Sequence, residues 1–460
     1  MDLRSNSIVL AAARAISYLP SELYFPRKYR FWAKFLDESE YWSPQQLLNY
    51  QVKKLQVILR LCAQQVPYYR SLFRAIGFDP DSFQNIAQLQ RLPLLDRETV
   101  QSQSEDFLAQ GTPPRRTRTH STGGTMGHPM SFRTVRGMGW REQAFMFHLW
   151  KRVGFRASNL RAMLRGRVIK NQRHWEYDPY ERAYVFSNFH MTPENVAAYA
   201  KVMEQKHLTF LHSYPSAVTD FVRHLQDMEI SPPRFQAVLL SSENMYPGQR
   251  ELIENFFQCR SFSWYGHTEN LAMGGECEYT TDYHMVPQYG YLEIIKEDGA
   301  PATREGEIGE IVGTTLDNTA MPLLRYRTGD WAVVGPEKCR CGRSCVLLKE
   351  ILGRWRQEML LGKNNNLISM AAVNMHSSVF EHVRQFQFHQ TQRGQATLRI
   401  VRKPEYTEFD SKNLLAALQE KIGDSLTVEL AFVEQIPLTQ RGKYRFIVQE
   451  VDVPAGMGGM

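Results

Sequence analysis

The spacing of apolar positions changes several times along the chain, and those changes divide it. Over residues 42–73, Leu48, Leu55, Ile58, Cys62 and Val66 recur near helical spacing, which predicts a helical lead-in broken internally at Pro67-Tyr68-Tyr69. Leu92-Pro93-Leu94-Leu95-Asp96 then introduces a polar helix that ends before a glycine-rich stretch. Beyond it helical and strand-like patterns alternate. Residues 138–153, 195–206, 216–228 and 248–257 read as helices, and 237–240 and 260–264 as short strands. Trp140, Phe145, Phe147 and Trp150 in the first of these helices read as core or pocket wall. From Gly290 the pattern shortens to alternating strands at 291–295, 307–315 and 331–334, a smaller β-rich subdomain. After a boundary near Gly353-Arg354, strands at 396–401, 428–433 and 446–451 and a helix at 411–422 outline a compact α+β domain, with a frayed tail after it. The order strand, helix, strand, with polar residues just past each strand, is the α/β arrangement that binds ligands at the carboxyl ends of its strands.

Composition changes this picture little. The chain has 460 residues, enough for two or three domains, and is 43% hydrophobic and 22% charged, as a globular protein with a sizeable core should be. No apolar run reaches spanning length, and the short run over residues 8–16 is interrupted by Arg14, so neither a signal peptide nor membrane insertion is expected and a cytoplasmic location is. A net charge of +7 suits an anionic nucleotide ligand, but no basic run interleaved with aromatics marks a nucleic-acid footprint. The sequence leaves the oligomeric state open.

The glycine-rich stretch is His120-Ser121-Thr122-Gly123-Gly124-Thr125-Met126-Gly127-His128-Pro129, just after Arg115, Arg116 and Arg118. Consecutive N–H groups in such a turn form a nest for phosphate oxygens, and the hydroxyls add donors. It is neither a Walker loop nor G-x-G-x-x-G, and alone it reads equally as a surface turn.

Four more stretches join it in order: Tyr265-Gly266-His267-Thr268-Glu269, Leu324-Arg325-Tyr326-Arg327-Thr328-Gly329-Asp330, Gly353-Arg354, and Pro437-Leu438-Thr439-Gln440-Arg441-Gly442-Lys443. Together they resemble the adenylate-forming (acyl-CoA synthetase) superfamily. Val66-Pro67-Tyr68-Tyr69-Arg70, Ser213-Tyr214-Pro215-Ser216-Ala217 and Leu316-Asp317-Asn318-Thr319-Ala320-Met321-Pro322 narrow the likeness to its phenylacetate-CoA ligase-like branch, which includes members found with capsular-polysaccharide genes. The resemblance spans nearly the whole chain. It implies an α/β fold with a large adenylation domain, residues 1–352, and a small mobile lid, residues 353–460, hinged near Gln357.

The implied reaction has two steps. A carboxylate attacks the α-phosphorus of ATP to give an acyl-adenylate and pyrophosphate; coenzyme A, or alternatively an amine, then takes the acyl group. By the same resemblance Ser121, Thr122, Gly123, Gly124, Thr125 and Gly127 would hold the β- and γ-phosphates. Tyr265 and Gly266 would meet adenine, with Ser242 and Glu243 lining its side, and Asp330 and Arg354 would hold ribose and phosphate. Thr268 would donate to the α-phosphate, and Glu269 would be a hard oxygen ligand for Mg²⁺. Tyr214, Trp264 and His267 would line the acyl pocket, aromatic enough for an aryl or arylacetic acid. Lys443 would be the catalytic cation between carboxylate and α-phosphate, favouring the more negative transition state. Two loop positions depart from relatives, Gly123 for a usual Ser and Met126 for a common Thr, which keeps a non-catalytic nucleotide-binding relative as an alternative.

Six cysteines in such a chain do not suggest a disulfide framework. Cys62 and Cys259 read as buried apolar residues. Cys277, His284, Cys339 and Cys341 could instead form a structural tetrahedral Zn²⁺ site, with Cys345 as a substitute ligand; reduced thiols beside an incidental histidine are the alternative. His120 and His212 could also touch ligand, although a lone histidine is more often structural.

Overall fold

The protein is described by a computed structural model covering residues 24–121, 130–167, 169, 171–353, 359–364, 366–369 and 378–451. In chain order its helices are Arg27–Ser39 (α1), Pro44–Gln65 (α2), Pro67–Ile76 (α3), Arg97–Ser102 (α4), Met138–Trp150 (α5), Pro193–Gln205 (α6), Pro215–Asp227 (α7), Gln249–Phe257 (α8) and Glu408–Ile422 (α9). Its strands begin with Thr117–Ser121 (β1), Ser131–Val135 (β2), Arg161–Arg165 (β3), Trp175–Asp178 (β4), Ala183–Ser187 (β5), Phe210–Ser213 (β6), Ala237–Ser241 (β7) and Arg260–Gly266 (β8). They continue with Met273–Gly275 (β9), Tyr283–Met285 (β10), Gly290–Ile295 (β11), Ile308–Thr315 (β12), Tyr326–Val334 (β13) and Leu347–Gly353 (β14). After Gly353 come Met359–Leu361 (β15), Leu367–Ser369 (β16), Val383–Gln392 (β17), Gln395–Arg402 (β18), Thr427–Phe432 (β19) and Ile447–Gln449 (β20).

The chain forms two compact units, one of residues up to Asn159 with Phe262–Gly353, the other of Leu160–Ser261 with everything after Gly353. In the first unit, strands follow the order β11-β12-β13-β14-β10-β9-β8, antiparallel throughout. The lead-in helices pack on a core of Leu55, Ile58, Leu59, Cys62, Tyr69 and Phe107, joined by Leu316, Leu324 and Tyr326. Helix α2 starts on a capping box between Ser43 and Gln46, with Pro44 in its first turn. It ends at Val66, which is extended because Pro67 bars the residue before it from helical ψ. Helix α3 then stops at Gly77, whose φ of 62° is the left-handed cap glycine favours.

In the second unit, β7, β6, β3 and β5 are parallel and β4 closes the edge antiparallel. Helices α6, α7 and α8 cover a core of Leu164, Phe186, Tyr199, Phe221, Val238 and Leu240. The residues after Gly353 add a sheet in the order β19-β18-β17-β20, with Phe386, Phe388, Leu398 and Leu414 in its core. Among the described residues no helix is long and apolar enough to cross a membrane.

Three local readings shift. Leu48 is 40% exposed and Leu47 is buried instead, while Leu55, Ile58, Cys62 and Val66 are buried as the pattern predicts. The polar helix before the glycine stretch is only α4, capped by Asp96. The approach to that stretch is instead β1, paired antiparallel with β2. Its sequence, Thr-Arg-Thr-His-Ser, has no apolar alternation, so only its partner makes it a strand. Cys62 is fully buried as expected, and Cys259 partly so.

Candidate functional site

The parallel strands of the second unit end level with one another at Ser241, Ser213, Arg165 and Ser187. The Arg165 guanidinium donates from Nη1 to His212 Nε2 at 2.9 Å and from Nη2 to Ser242 Oγ at 2.7 Å, and lies 4.8 Å from the centre of the Tyr214 ring. Burial, and then the Arg165 and Arg161 charges, hold the His212 pKa well below its usual value. The ring is therefore neutral and its Nε2 is an acceptor. Ser242 turns the chain out of β7 at a φ of 70°, rare for a residue with a side chain. Its carbonyl accepts from Lys443 Nζ at 2.6 Å.

Lys443 is presented by a tight turn. Gly442 donates its N–H to Thr439 O at 2.8 Å, and the Lys443 N–H goes to Thr439 Oγ1 at 3.0 Å. The turn is pinned to the sheet edge by Asn188 Nδ2 donating to Gly442 O at 2.6 Å and by the Tyr214 hydroxyl donating to Arg441 O at 3.3 Å. Glu243 ties the same loop to α7: one carboxylate oxygen accepts from Tyr444 N and the other from Ser216 N, each at 3.1 Å. Burial pushes the Glu243 pKa up. Backbone meets backbone where Gly442, at φ 69°, crosses Gly166: a Cβ on Gly166 would lie 1.5 Å from Arg441 O.

In the first unit, β8 delivers Trp264, Tyr265 and Gly266 and runs into His267-Thr268-Glu269-Asn270. Gly266 has no room for a side chain, since a Cβ would come 2.8 Å from the Trp264 ring. The Tyr265 hydroxyl donates to Asp330 Oδ2 at 2.8 Å, and burial raises its pKa. Asp330 sits in β13, its N–H on Thr328 Oγ1 at 3.1 Å. His267 Nε2 accepts the Ala272 N–H at 3.2 Å, which leaves the proton on Nδ1 to be donated to Glu269 at 3.2 Å. Glu269 is buried and Thr268 exposed. Asn270, at φ 59°, anchors this turn through Nδ2 to Glu142 at 3.3 Å. Glu142 also accepts from Tyr289, and burial raises its pKa.

The same unit gathers Cys277, His284, Cys339 and Cys341, whose four ligand atoms all lie within 4.8 Å of one another. Cys277 Sγ is 3.7 Å from Cys339 Sγ, and Cys341 Sγ is 3.2 Å from His284 Nε2. His284 donates Nδ1–H to Asp282 O at 3.0 Å, which turns its Nε2 lone pair toward the thiols. Burial brings its pKa down to about 4. Burial alone would raise the Cys277 thiol, but N–H donors from Tyr279 and Thr280 outweigh it and lower the pKa. Three thiols and an imidazole held this close fit a tetrahedral ion of zinc's preferences. Cys345 is not in the group, and burial pushes its thiol up to about 12.

The family model for the CapK C-terminal domain matches residues 360–450. The chain is 24% identical over 443 residues to phenylacetate-coenzyme A ligase of Thermus thermophilus, covering 86% of this chain and 95% of that one. It is 22% identical over 381 residues to Protein CapK of Staphylococcus aureus, covering 80% and 81% respectively. Its fold matches the crystal structure of 2-hydroxyisobutyryl-CoA ligase in the postadenylation state, with a TM-score of 0.71 at 17% identity over 90% of this chain and 91% of that one. The chain is thus similar along most of its length to phenylacetate-CoA ligases and to Protein CapK, and shares the fold of an adenylate-forming CoA ligase.

Of the positions this branch points to, Thr122, Gly123, Gly124, Thr125, Gly127 and Arg354 lie outside the described residues, as does the hinge position Gln357; Ser121 ends β1. Tyr214, Ser242, Glu243 and Lys443 come together in the second unit. Trp264, Tyr265, Gly266, His267, Thr268, Glu269 and Asp330 belong to the first, where Tyr265 meets Asp330 and His267 meets Glu269. His120 donates to or accepts from Thr134 Oγ1 at 2.9 Å in the β1–β2 pair. Sequence reasoning missed Arg165. The only hint was an arginine closing the apolar run Ala162-Met163-Leu164 at the carboxyl end of β3, which does not set it apart from Arg161 or Arg167.

Proposed function

We propose that the chain activates a carboxylic acid with ATP as an acyl-adenylate and passes the acyl group to coenzyme A. The observation that carries this reading is the seat of Lys443. A lysine from the last strand-connecting turn reaches Ser242 at the carboxyl edge of four parallel strands, in a chain whose relatives are named phenylacetate-coenzyme A ligases.

In the first step a carboxylate oxygen bonds to the α-phosphorus and the bond to pyrophosphate breaks. Negative charge grows on the oxygens around phosphorus, and Lys443 meets it with a compact cation already fixed by its turn. Preorganised donors of this kind contribute about 10²–10³-fold to such a step. The Tyr265 ring offers a flat face to adenine, and its hydrogen bond to Asp330 orients a carboxylate for the ribose hydroxyls. Thr268, exposed beside the buried Glu269, is a donor for the α-phosphate. Glu269, its carboxylate steadied by His267, is the candidate ligand for Mg²⁺, which when bound screens the phosphate charge. In the second step the thiol sulfur bonds to the acyl carbon and AMP leaves with the bonding pair. Residues 353–460 act as the lid that carries Lys443, and 1–352 as the adenylation domain. By the same resemblance Tyr214, Trp264 and His267 are the residues assigned to acyl recognition, suited to an aryl or arylacetic acid. Cys277, His284, Cys339 and Cys341 would hold a structural Zn²⁺, whose role would be to tie the β10 segment to the 339–341 turn. The setting is the cytoplasm.

ATP–pyrophosphate exchange over a panel of carboxylic acids tests this, followed by thioester formation with coenzyme A. Exchange with an aryl or arylacetic acid is expected. Silence with every acid overturns the reading.

A further inference from the structure

Three arginines lie at or beside β3, and they are treated differently. Arg161 pairs with Glu181 at 3.0 Å, and Arg167 pairs with Asp178 and Glu176. Arg165, half-buried between them, has no carboxylate within ion-pair distance among the described residues. Its acceptors are the neutral His212 ring and the Ser242 hydroxyl. A guanidinium has five N–H donors, and neutral acceptors satisfy it less well than an oxyanion. The setting is also electropositive. Lys443 reaches the same residue, Ser242, from its carbonyl side, and α7 begins directly after Tyr214 with its N-terminus at this edge. The neighbouring Glu243 has both oxygens on backbone N–H groups. Tyr214 fixes the geometry, with its ring against Arg165 and its hydroxyl on the Lys443 turn.

We propose that Arg165 binds an oxyanion of the reacting species, the second cation of the edge that Lys443 serves. The proposal rests on the adenylation reading and gives that site a specificity residue on β3. The oxyanion is either the carboxylate of the acid or the α-phosphate of the nucleotide, and a guanidinium fork suits both.

Direct binding by calorimetry on the full chain separates the sources, using AMP, adenosine and phenylacetate, the last replaced by any panel acid that supports exchange. Arg165→Gln keeps a hydrogen-bonding side chain and removes the charge. If phosphate is the ligand, AMP binds roughly ten- to hundred-fold more weakly and adenosine is unchanged. If carboxylate is the ligand, the acid weakens by that factor and AMP does not. In either case Arg165→Lys restores part of the loss. Unchanged affinity for both AMP and the acid overturns the proposal. An equal fall for adenosine also overturns it, because it marks a purely structural role. Absence of exchange by the unaltered chain with every acid would sink the ligase reading, yet leave the comparison of AMP with adenosine to judge Arg165.

Discussion

The ends of β7 and β8 carry polar turns of similar composition, yet they are held in opposite ways. After β7, Ser242 is gripped by Arg165 from 77 residues away and by Lys443 from 201 residues away. Glu243 reaches Tyr444 across the same 201-residue separation. After β8, His267 is tied to Glu269 and Ala272 within its own turn, and Tyr265 reaches Asp330 inside one antiparallel sheet. The first turn depends on the segment after Gly353 being seated on residues 160–261. The second is set within its own unit, by bonds inside the turn, by Tyr265 on Asp330 and by Asn270 on Glu142. A group that must come and go during a reaction belongs on the first kind of turn; a nucleotide platform belongs on the second.

The largest effect should come from the distant grip. Lys443→Ala should lower pyrophosphate exchange about 10²–10³-fold while AMP affinity, read by calorimetry, stays within a few-fold. Unchanged exchange would remove the asymmetry between the two turns. Next is the fixed side. Purified protein should carry about one zinc per chain by elemental analysis, and chelation or Cys339→Ser should lower the melting temperature by about 5 °C or more. Metal-free protein of unchanged stability would show that the β8 region needs no staple.

Glu243→Ala should follow, since it leaves the Ser216 and Tyr444 N–H groups without their acceptor at a cost of about 1–3 kcal/mol in denaturant unfolding. Glu243→Gln should recover part of it. The first unit should also lose stability in acid. Hydrogen bonds from His148 and Lys151 hold Asp37 down to about 2 against an ordinary 3.8. Glu40 is likewise held at about 2 against 4.5, where burial opposes and the bonds and charges of His148 and Arg343 prevail. Carboxylates depressed in the folded state stabilise it above their unfolded values, and that contribution is lost as pH falls from about 4.5 toward 2. Unfolding midpoints at pH 5 and pH 3 read it, and Asp37→Asn should flatten the slope. Smallest is Tyr265→Phe, which removes one hydrogen bond to Asp330 and should weaken AMP only about three- to ten-fold.

Much of this was legible in the residues. Helices α2, α3 and α5 to α8 follow apolar periodicity, and the Cys/His group was visible because thiols and an imidazole are scarce and chemically specific. Periodicity failed where the partner, not the strand, supplies the pattern, as in β1. It also passed over β17, although Phe386 and Phe388 alternate with polar residues there, and it started β13 five residues late because Tyr326-Arg327-Thr328-Gly329-Asp330 reads as a loop motif. Arg165 could not be singled out from its neighbours. Its distinction is that Arg161 and Arg167 find carboxylates while, among the described residues, it has none, a fact that exists only once the strands are folded together. Similarly, Glu243 is acidic in the sequence, but its place between α7 and the Lys443 turn is a tertiary fact.

The crossing of Gly166 and Gly442 has one more consequence. Each is the other's clearance, and a single methyl on either acts as a wedge: on residue 166 it strikes a carbonyl, and on residue 442 it falls 2.4 Å from the Gly166 Cα. Neither position can drift alone without propping the lysine turn off its perch, so the two hydrogens facing each other there tie the histories of two segments that lie far apart in the gene.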